Sequence, residues 1–221
     1  DFVGGDEAAT RAAFGRAARV VKLDCYHSRV VGNPMEPRAA TGVYDATKDT
    51  YFLYATTQGA TAMRGQMATV LGVAPEKVRV VAEEVGGGFG VRFNIYPEYA
   101  ALLMAAKKLG RPVRWAGPRS EVFLGDEQAR DIVHTGEMAL DANGRILGMR
   151  FDFVSNLGAY LAFTGSFVNT VNLVNVASGV YDVQAVHVQA KLVVTNTVPT
   201  AAYRGAGRPV SSYAIERLVD Q

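Results

Sequence analysis

Three points in this 221-residue chain carry residue types that could do chemistry, and each stands where an extended run gives way to a loop. Gln58 follows the run Tyr51 to Thr57, and its amide offers two donors and an acceptor. Val85-Gly86-Gly87-Gly88-Phe89-Gly90 sets four glycines around one aromatic ring. Glycine has no Cβ and accepts φ > 0, so such a loop brings several backbone N–H groups close to an anion or a metal oxo group. A large ring in so bare a loop either plugs the core or walls a substrate pocket. The third point is a second glycine loop, Ala202-Tyr203-Arg204-Gly205-Ala206-Gly207-Arg208-Pro209. Its Arg204 guanidinium is able to hold a phosphate or a carbonyl oxygen through paired N–H donors.

If the three loops converge, they form an amide donor, a set of N–H groups with an aromatic wall, and a guanidinium, a combination that would hold an oxyanion. Each residue also has a plainer role open to it. Gln58 would cap the helix that follows, Phe89 would fill the core, and Arg204 would sit in a surface ion pair. Familiar glycine-loop chemistries fail on spacing. The run at 85–90 is not G-x-G-x-x-G and no acidic residue closes a βαβ unit around it. No Gly-Lys-Ser/Thr follows it, and no Gly-x-Ser-x-Gly nucleophile elbow occurs.

The elements that must position these residues follow from periodicity and punctuation. Residues 6–20 are Ala-rich, with acidic residues first and arginines later, which suits a helix interrupted at Gly15. Two β-rich runs, near 39–45 and 51–56, flank Ala46-Thr47-Lys48-Asp49 and predict a hairpin. Met63, Met67, Val70 and Leu71 at helical spacing predict a helix over 59–71 that Gly72 stops. A short strand, 78–81, leads into the glycine loop. Pro97 opens a helix packed through Ala100, Leu103 and Met104 and closed by Lys107, Lys108 and Gly110. A strand at 112–115 and a short helix from Pro118 come next. Asn143-Gly144 between alternating runs at 132–140 and 145–154 is the strongest hairpin signal in the chain. Residues 155–178 read as a long loop with a helical piece, 180–194 as one strand or two joined by a bend, and the chain ends in a helix through Ile215 and Leu218. Hairpins mixed with helices at irregular intervals predict an α+β fold of mixed sheets and packed helices. No linker and no internal repeat divides it, so residues 1–221 are expected to form a single domain.

Composition bounds the partners. The chain is 49% hydrophobic and 20% charged, which suits a globular protein with a substantial core. A net charge of +2 from 23 basic and 21 acidic residues, scattered along the chain, argues against nucleic acid. No apolar stretch approaches the roughly 18 residues of a membrane span, and no signal peptide opens the sequence, so a cytoplasmic protein is expected. The single cysteine, Cys25, excludes an internal disulfide and a cysteine-rich zinc or iron–sulfur site, and is expected to be a buried small hydrophobe. His27, His134 and His187 lie far apart with no i, i+3 or i+4 partner, so their spacing assigns no metal ligand.

Five separated motifs then share one order. Asn33-Pro34-Met35-Glu36-Pro37-Arg38, Thr57-Gln58-Gly59, Val78-Arg79-Val80-Val81 into Gly86-Gly87-Gly88-Phe89-Gly90, Gly110-Arg111-Pro112-Val113 and Ala202 to Arg208 resemble the molybdenum-binding large subunit of the xanthine dehydrogenase, aldehyde oxidase and carbon monoxide dehydrogenase family. The resemblance runs along nearly the whole chain. It implies a molybdenum hydroxylase, in which a pterin dithiolene, usually as the cytosine dinucleotide in bacteria, holds an oxo, sulfido, hydroxo molybdenum centre and water supplies the oxygen inserted into a C–H bond. By that resemblance Gln58 donates to the oxo ligand, and Gly87, Gly88, Phe89 and Gly90 approach the metal with Phe89 walling the pocket. Arg204, Gly205 and Ala206 form the loop beside it that helps hold substrate and cofactor. The family further implies a small-molecule substrate, partner subunits carrying iron–sulfur clusters and FAD, and the remainder of the large subunit.

Departures from the family pattern narrow the expectation. Carbon monoxide dehydrogenases proper carry Cys-Ser-Phe after the arginine, the cysteine bridging copper, whereas Gly205-Ala206-Gly207 stands here. Phe93 occupies the position of the purine-binding glutamate of the xanthine enzymes. An aldehyde or a small aromatic heterocycle is therefore the expected substrate. The family's general base is a glutamate near the end of a much longer subunit, so it is expected beyond Gln221, and the chain resembles the middle third of such a subunit, inactive alone. Glu83 and Glu84 are expected to be solvated and Glu36 to serve structure. Two other readings remain: a non-catalytic assembly or binding module that keeps the fold without the cofactor, and a small-anion-binding α+β domain.

Overall fold

The computed structural model describes residues 1–221. It opens with β1 (Phe2–Gly5), α1 (Glu7–Gly15), β2 (Arg19–His27), β3 (Val30–Val31), β4 (Ala39–Asp45) and β5 (Thr50–Ala55). Next come α2 (Ala60–Leu71), β6 (Val78–Val81), α3 (Pro97–Leu109), β7 (Val113–Ala116), α4 (Arg119–Gly125), β8 (Gln128–Ala129), β9 (Ile132–Leu140) and β10 (Ile146–Gly158). The chain closes with α5 (Gly165–Asn169), α6 (Val171–Val174), β11 (Val186–Val194) and α7 (Arg208–Val219). The α+β class expected from the sequence is the class observed. No helix is long and apolar enough to cross a membrane.

The chain forms two compact units, Val31–Asp126 and a second made of Asp1–Val30 with Glu127–Gln221. The physical reason is two separate hydrophobic clusters. In the 31–126 unit a four-stranded sheet runs in the order β6-β5-β4-β7. Only the β5–β6 pair is parallel. Met63 and Met67 of α2 and Tyr99, Leu102 and Leu103 of α3 bury against Leu53, Tyr51 and Val78 of the sheet. Gly72 and Gly110 end the two helices in the left-handed conformation that glycine tolerates best. Val70 and Met104, expected inside from spacing, face solvent instead, because each helix buries only one stripe.

In the other unit a five-stranded sheet runs β1-β11-β10-β9-β2, with β10 and β11 parallel and the other pairs antiparallel. Phe151, Phe153, Met138, Met149, Ile132 and Val188 face Val210, Ala214, Ile215 and Leu218 of α7. The hairpin predicted at Asn143-Gly144 forms, closed by Asp141, whose carboxylate accepts from the N–H groups of Asn143 and Arg145 at 2.8 Å.

Three boundaries differ from the sequence reading. The first helix is capped by Asp6, whose carboxylate accepts from Ala9 N–H at 2.8 Å, and stops at Gly15 rather than at residue 20. Beyond it Val21, Leu23, Cys25 and His27 alternate with more exposed Val20, Lys22, Asp24 and Tyr26, a period of two that makes β2. Residues 155–158 continue β10, because Ser155 and Asn156 still pair with Leu192 and Val193. Residues 180–185 alternate but pair with no strand, so only Val186–Val194 is extended. Cys25 is partly exposed rather than buried.

Phe151 is 1% exposed at the centre of the five-stranded sheet. Phe151→Ala is expected to lower unfolding stability by about 3–5 kcal/mol. Urea unfolding of the protein followed by circular dichroism measures it, and a loss under about 1 kcal/mol would contradict this placement of the core.

Candidate active site

The glycine loop lies in the 31–126 unit and is held at both ends by side chains from elsewhere in that unit. At its start, Glu36 Oε2 accepts from Gly86 N–H at 2.8 Å, Glu36 N–H donates to the Gly86 carbonyl at 3.1 Å, and Glu36 Oε1 accepts from the Thr56 hydroxyl at 2.6 Å. At its end, Gln58 Oε1 accepts from Gly90 N–H at 2.6 Å. The approach is close enough to require glycine. A Cβ on Gly86 would lie 2.3 Å from Glu36 Cβ, and one on Gly88 would lie 2.4 Å from Gln58 Cγ. Ordinary side-chain contacts need more than 3 Å, so the bare backbone is what admits Gln58.

Gln58 does not cap the following helix. That helix has no side-chain cap; just before it the Thr57 hydroxyl accepts from Gly59 N–H at 3.1 Å. Because a backbone N–H requires an acceptor, the Gly90 contact fixes which amide atom is oxygen. Gln58 Nε2 therefore points away from this contact as a two-proton donor, with no partner in the protein and on an exposed side chain. Phe89 is not a core plug. It is 42% exposed with φ +52°, a left-handed conformation rare for a side-chain-bearing residue, and its ring lies against Gly87.

Beneath the loop is a charge cluster that spacing did not reveal. Arg92 is 0% exposed; its guanidinium donates to Asp126 Oδ2 at 2.8 Å and to the Glu36 carbonyl at 3.1 Å. Its own carbonyl accepts from Gln58 N–H at 3.1 Å and from the Thr57 hydroxyl at 3.2 Å. Arg38 Nε donates to the other oxygen of Asp126, and Arg38 Nη1 donates to Glu98 at 2.8 Å. The Arg38 guanidinium also stacks 4.0 Å from the centre of the Tyr96 ring. Burial by itself lowers the Arg38 pKa, but the hydrogen bonds and charges of Glu98 and Asp126 override it and raise it above the ordinary guanidinium value. Two cations and two anions balance, the condition for keeping such groups out of water. The only sequence signal was Arg38 and Arg92 standing beside the Pro-Met-Glu-Pro and glycine motifs. Glu83 and Glu84 are exposed and Glu36 is committed to the loop, as expected.

Arg204, Gly205 and Ala206 belong to the other unit, on the turn that enters α7. Three successive residues there have positive φ: Gly205 at +92°, Ala206 at +48° and Gly207 at +89°. Ala206 pays for that conformation with good partners: its N–H donates to the Tyr203 carbonyl at 2.6 Å, and its carbonyl accepts from Asn172 Nδ2 at 3.0 Å. Asn172 Oδ1 in turn accepts from Arg208 at 3.0 Å. The Arg204 carbonyl accepts from Arg130 at 3.2 Å, while the exposed Arg204 guanidinium makes no ion pair or hydrogen bond, so the surface-pair role does not hold. The structure thus brings Gln58, Gly87, Gly88, Phe89 and Gly90 together in one unit and sets Arg204, Gly205 and Ala206 in a turn of the other.

Strand pairing also joins residues that sequence separation had kept apart. His27 Nε2 and His134 Nδ1 are 3.2 Å apart, their rings stacked at 5.0 Å, with Phe153 and Tyr213 as ring neighbours. Burial, and then His27, bring the His134 pKa down to about 4; burial and the Arg130 charge lower that of His27. Both rings are neutral at pH 7.

The fold and these loops define a cofactor-binding domain, and the chain belongs to the molybdopterin cofactor-binding domain family, whose description matches residues 2–221. It is 36% identical over 218 residues to the carbon monoxide dehydrogenase large chain of Hydrogenophaga pseudoflava, covering 98% of this chain and 27% of that one. It is also 36% identical over 208 residues to the 6-hydroxypseudooxynicotine dehydrogenase complex subunit gamma of Paenarthrobacter nicotinovorans, covering 94% and 26%. The crystal structure of quinoline 2-oxidoreductase from Pseudomonas putida 86 superposes with a TM-score of 0.90 at 30% identity, covering 100% of this chain and 31% of that one. The chain spans about a quarter of the length of the curated relatives it matches. The family resembled by the five motifs is the family found.

Asp126→Asn would leave Arg38 and Arg92 buried around a neutral amide. It is expected to cost about 3–5 kcal/mol of stability and to loosen the loop at 86–90. Thermal unfolding with hydrogen exchange at Gly86 and Gly90 measures both, and an unchanged midpoint with unchanged protection would contradict the clamp.

Proposed function

We propose that this chain forms part of the catalytic subunit of a molybdenum hydroxylase that oxidises an aldehyde or an aromatic heterocycle, with water as the oxygen source. The observation that carries this reading is the Gln58 amide, whose oxygen is tied to Gly90 N–H and whose Nε2 protons are left to an external acceptor. The residues of the 31–126 unit fit an electron-rich cofactor: a donor amide held against Gly88 and a bare loop with two side-chain clamps. When bound, the pterin and its molybdenum supply the two-electron oxidation chemistry that side chains lack.

In this reading Gln58 Nε2 donates to an electronegative ligand of the cofactor. Gly87, Gly88 and Gly90 let the backbone lie against it, and Phe89 walls the substrate pocket, orienting a flat substrate and excluding water. Arg204, with Gly205 and Ala206, holds an anionic or carbonyl oxygen of cofactor or substrate. The cofactor is the cytosine dinucleotide form. The general base comes from the remainder of the large subunit beyond Gln221, and electrons leave through iron–sulfur and flavin subunits in a cytoplasmic assembly. Gly205-Ala206-Gly207 offers no thiol for copper and Phe93 offers no carboxylate for a purine, which favours aldehydes and heterocycles over carbon monoxide and xanthine. Residues 1–221 serve as one partial molybdopterin-binding domain.

In the full-length assembly, Gln58→Ala is expected to keep its molybdenum and pterin while kcat falls about 10²–10³-fold, as for removal of one preorganised donor. Gly88→Ala pushes on Gln58 Cγ and is expected to reproduce most of that loss, with the double variant no worse than the Gln58 variant alone. Steady-state kinetics over a panel of aldehydes, N-heterocycles and xanthine, with metal and pterin analysis, reads both. Unchanged kinetics in the Gln58→Ala and Gly88→Ala variants, or full activity without molybdenum, would overturn the reading in favour of a non-catalytic module.

A further inference from the structure

Cys25 and His27 stand two residues apart on β2, an edge strand of its sheet, so their side chains leave the same face. Antiparallel pairing sets Cys25 directly opposite His134 on β9. The two imidazole nitrogens face each other at 3.2 Å, and the potential ligand atoms of all three residues lie within 4.8 Å of one another. A tetrahedral zinc ion, with Zn–N near 2.0–2.1 Å and Zn–S near 2.3 Å, holds two nitrogens and one sulfur about 3.3–3.6 Å apart. Small side-chain rotations close the difference.

Packing alone does not account for these residue types. His134 is 4% exposed against the Phe153 ring, and its Nε2 has no hydrogen-bond partner. An apolar side chain in its place would leave no buried polar atom unsatisfied. Cys25 and His27 are only partly buried, so solvent reaches this part of the sheet edge. We propose that Cys25, His27 and His134 form a binding site for a divalent metal ion of the zinc class, with water as the fourth ligand. Binding releases the Cys25 thiol proton to solvent, so the site gains one positive charge rather than two, which limits repulsion from the nearby Arg130. The ion would fasten β2 to β9 at the sheet edge. This inference stands apart from the proposed reaction, since none of the three residues serves in it.

The test uses the full-length protein loaded with Zn²⁺ against a competing chelator, with zinc K-edge X-ray absorption, which is blind to molybdenum and iron. One zinc per chain is expected, with one sulfur scatterer near 2.3 Å and two imidazole nitrogens near 2.0–2.1 Å. Cys25→Ser and His27→Asn lie at partly exposed positions; with circular dichroism confirming their fold, each is expected to weaken zinc binding at least tenfold and to abolish the zinc-dependent rise in melting temperature. A spectrum without the sulfur scatterer, or affinity and melting temperature unaltered in Cys25→Ser, would overturn the site.

Discussion

The carboxylate of Asp126 is the interaction on which the proposed chemistry rests. It is fully buried, takes Arg38 on one oxygen and Arg92 on the other, and has no water to fall back on. Buried charges are tolerated only where partners and hydrogen bonds replace the lost solvent. That requirement fixes Arg92 in place, and Arg92 fixes two segments at once. Its guanidinium holds the backbone at Glu36, and its carbonyl holds the backbone at Thr57 and Gln58. Glu36 and Gln58 then grip the glycine loop at opposite ends. A loop of four glycines is entropically costly to order. Here order is imposed from below by a salt-bridged core and leaves one face of the loop bare.

The turn at 204–207 solves a similar problem by other means. Three consecutive positive φ values, one of them at an alanine, are kept by the hydrogen bond from Asn172 Nδ2 to the Ala206 carbonyl and by the start of α7. The guanidinium of Arg204 stays unengaged while its backbone is rigidly placed. In both places a side-chain donor, Gln58 Nε2 or the Arg204 guanidinium, is free while the atoms behind it are bound.

Much of this was legible in the sequence. The helices at 60–71 and 97–109, the two hairpins and the entry to α7 follow from local signals of capping, turn chemistry and periodicity that need no tertiary partner. Gln58, Phe89 and Arg204 were visible as polar or aromatic exceptions at loop entrances, and the order of five motifs pointed to their family. What was hidden depends on pairing across distance. β2 was obscured because the Ala-rich run before it reads on as helix, and residues 180–185 alternate without a strand to pair with. Asp126 lies 34 residues from Arg92 and 88 from Arg38, and His134 lies 107 from His27. No local pattern reports such meetings, since burial and strand register decide them.

The central claim is that Gln58 is held by its oxygen so that its nitrogen can serve the cofactor. The direct measurement is a high-resolution structure of the full-length assembly with its molybdenum pterin in place. It should show Gln58 Oε1 still on Gly90 N–H and Nε2 at about 2.7–3.2 Å from a ligand of the molybdenum. A cofactor bound away from the loop at 86–90, or a Gln58 side chain turned from it, would contradict the account.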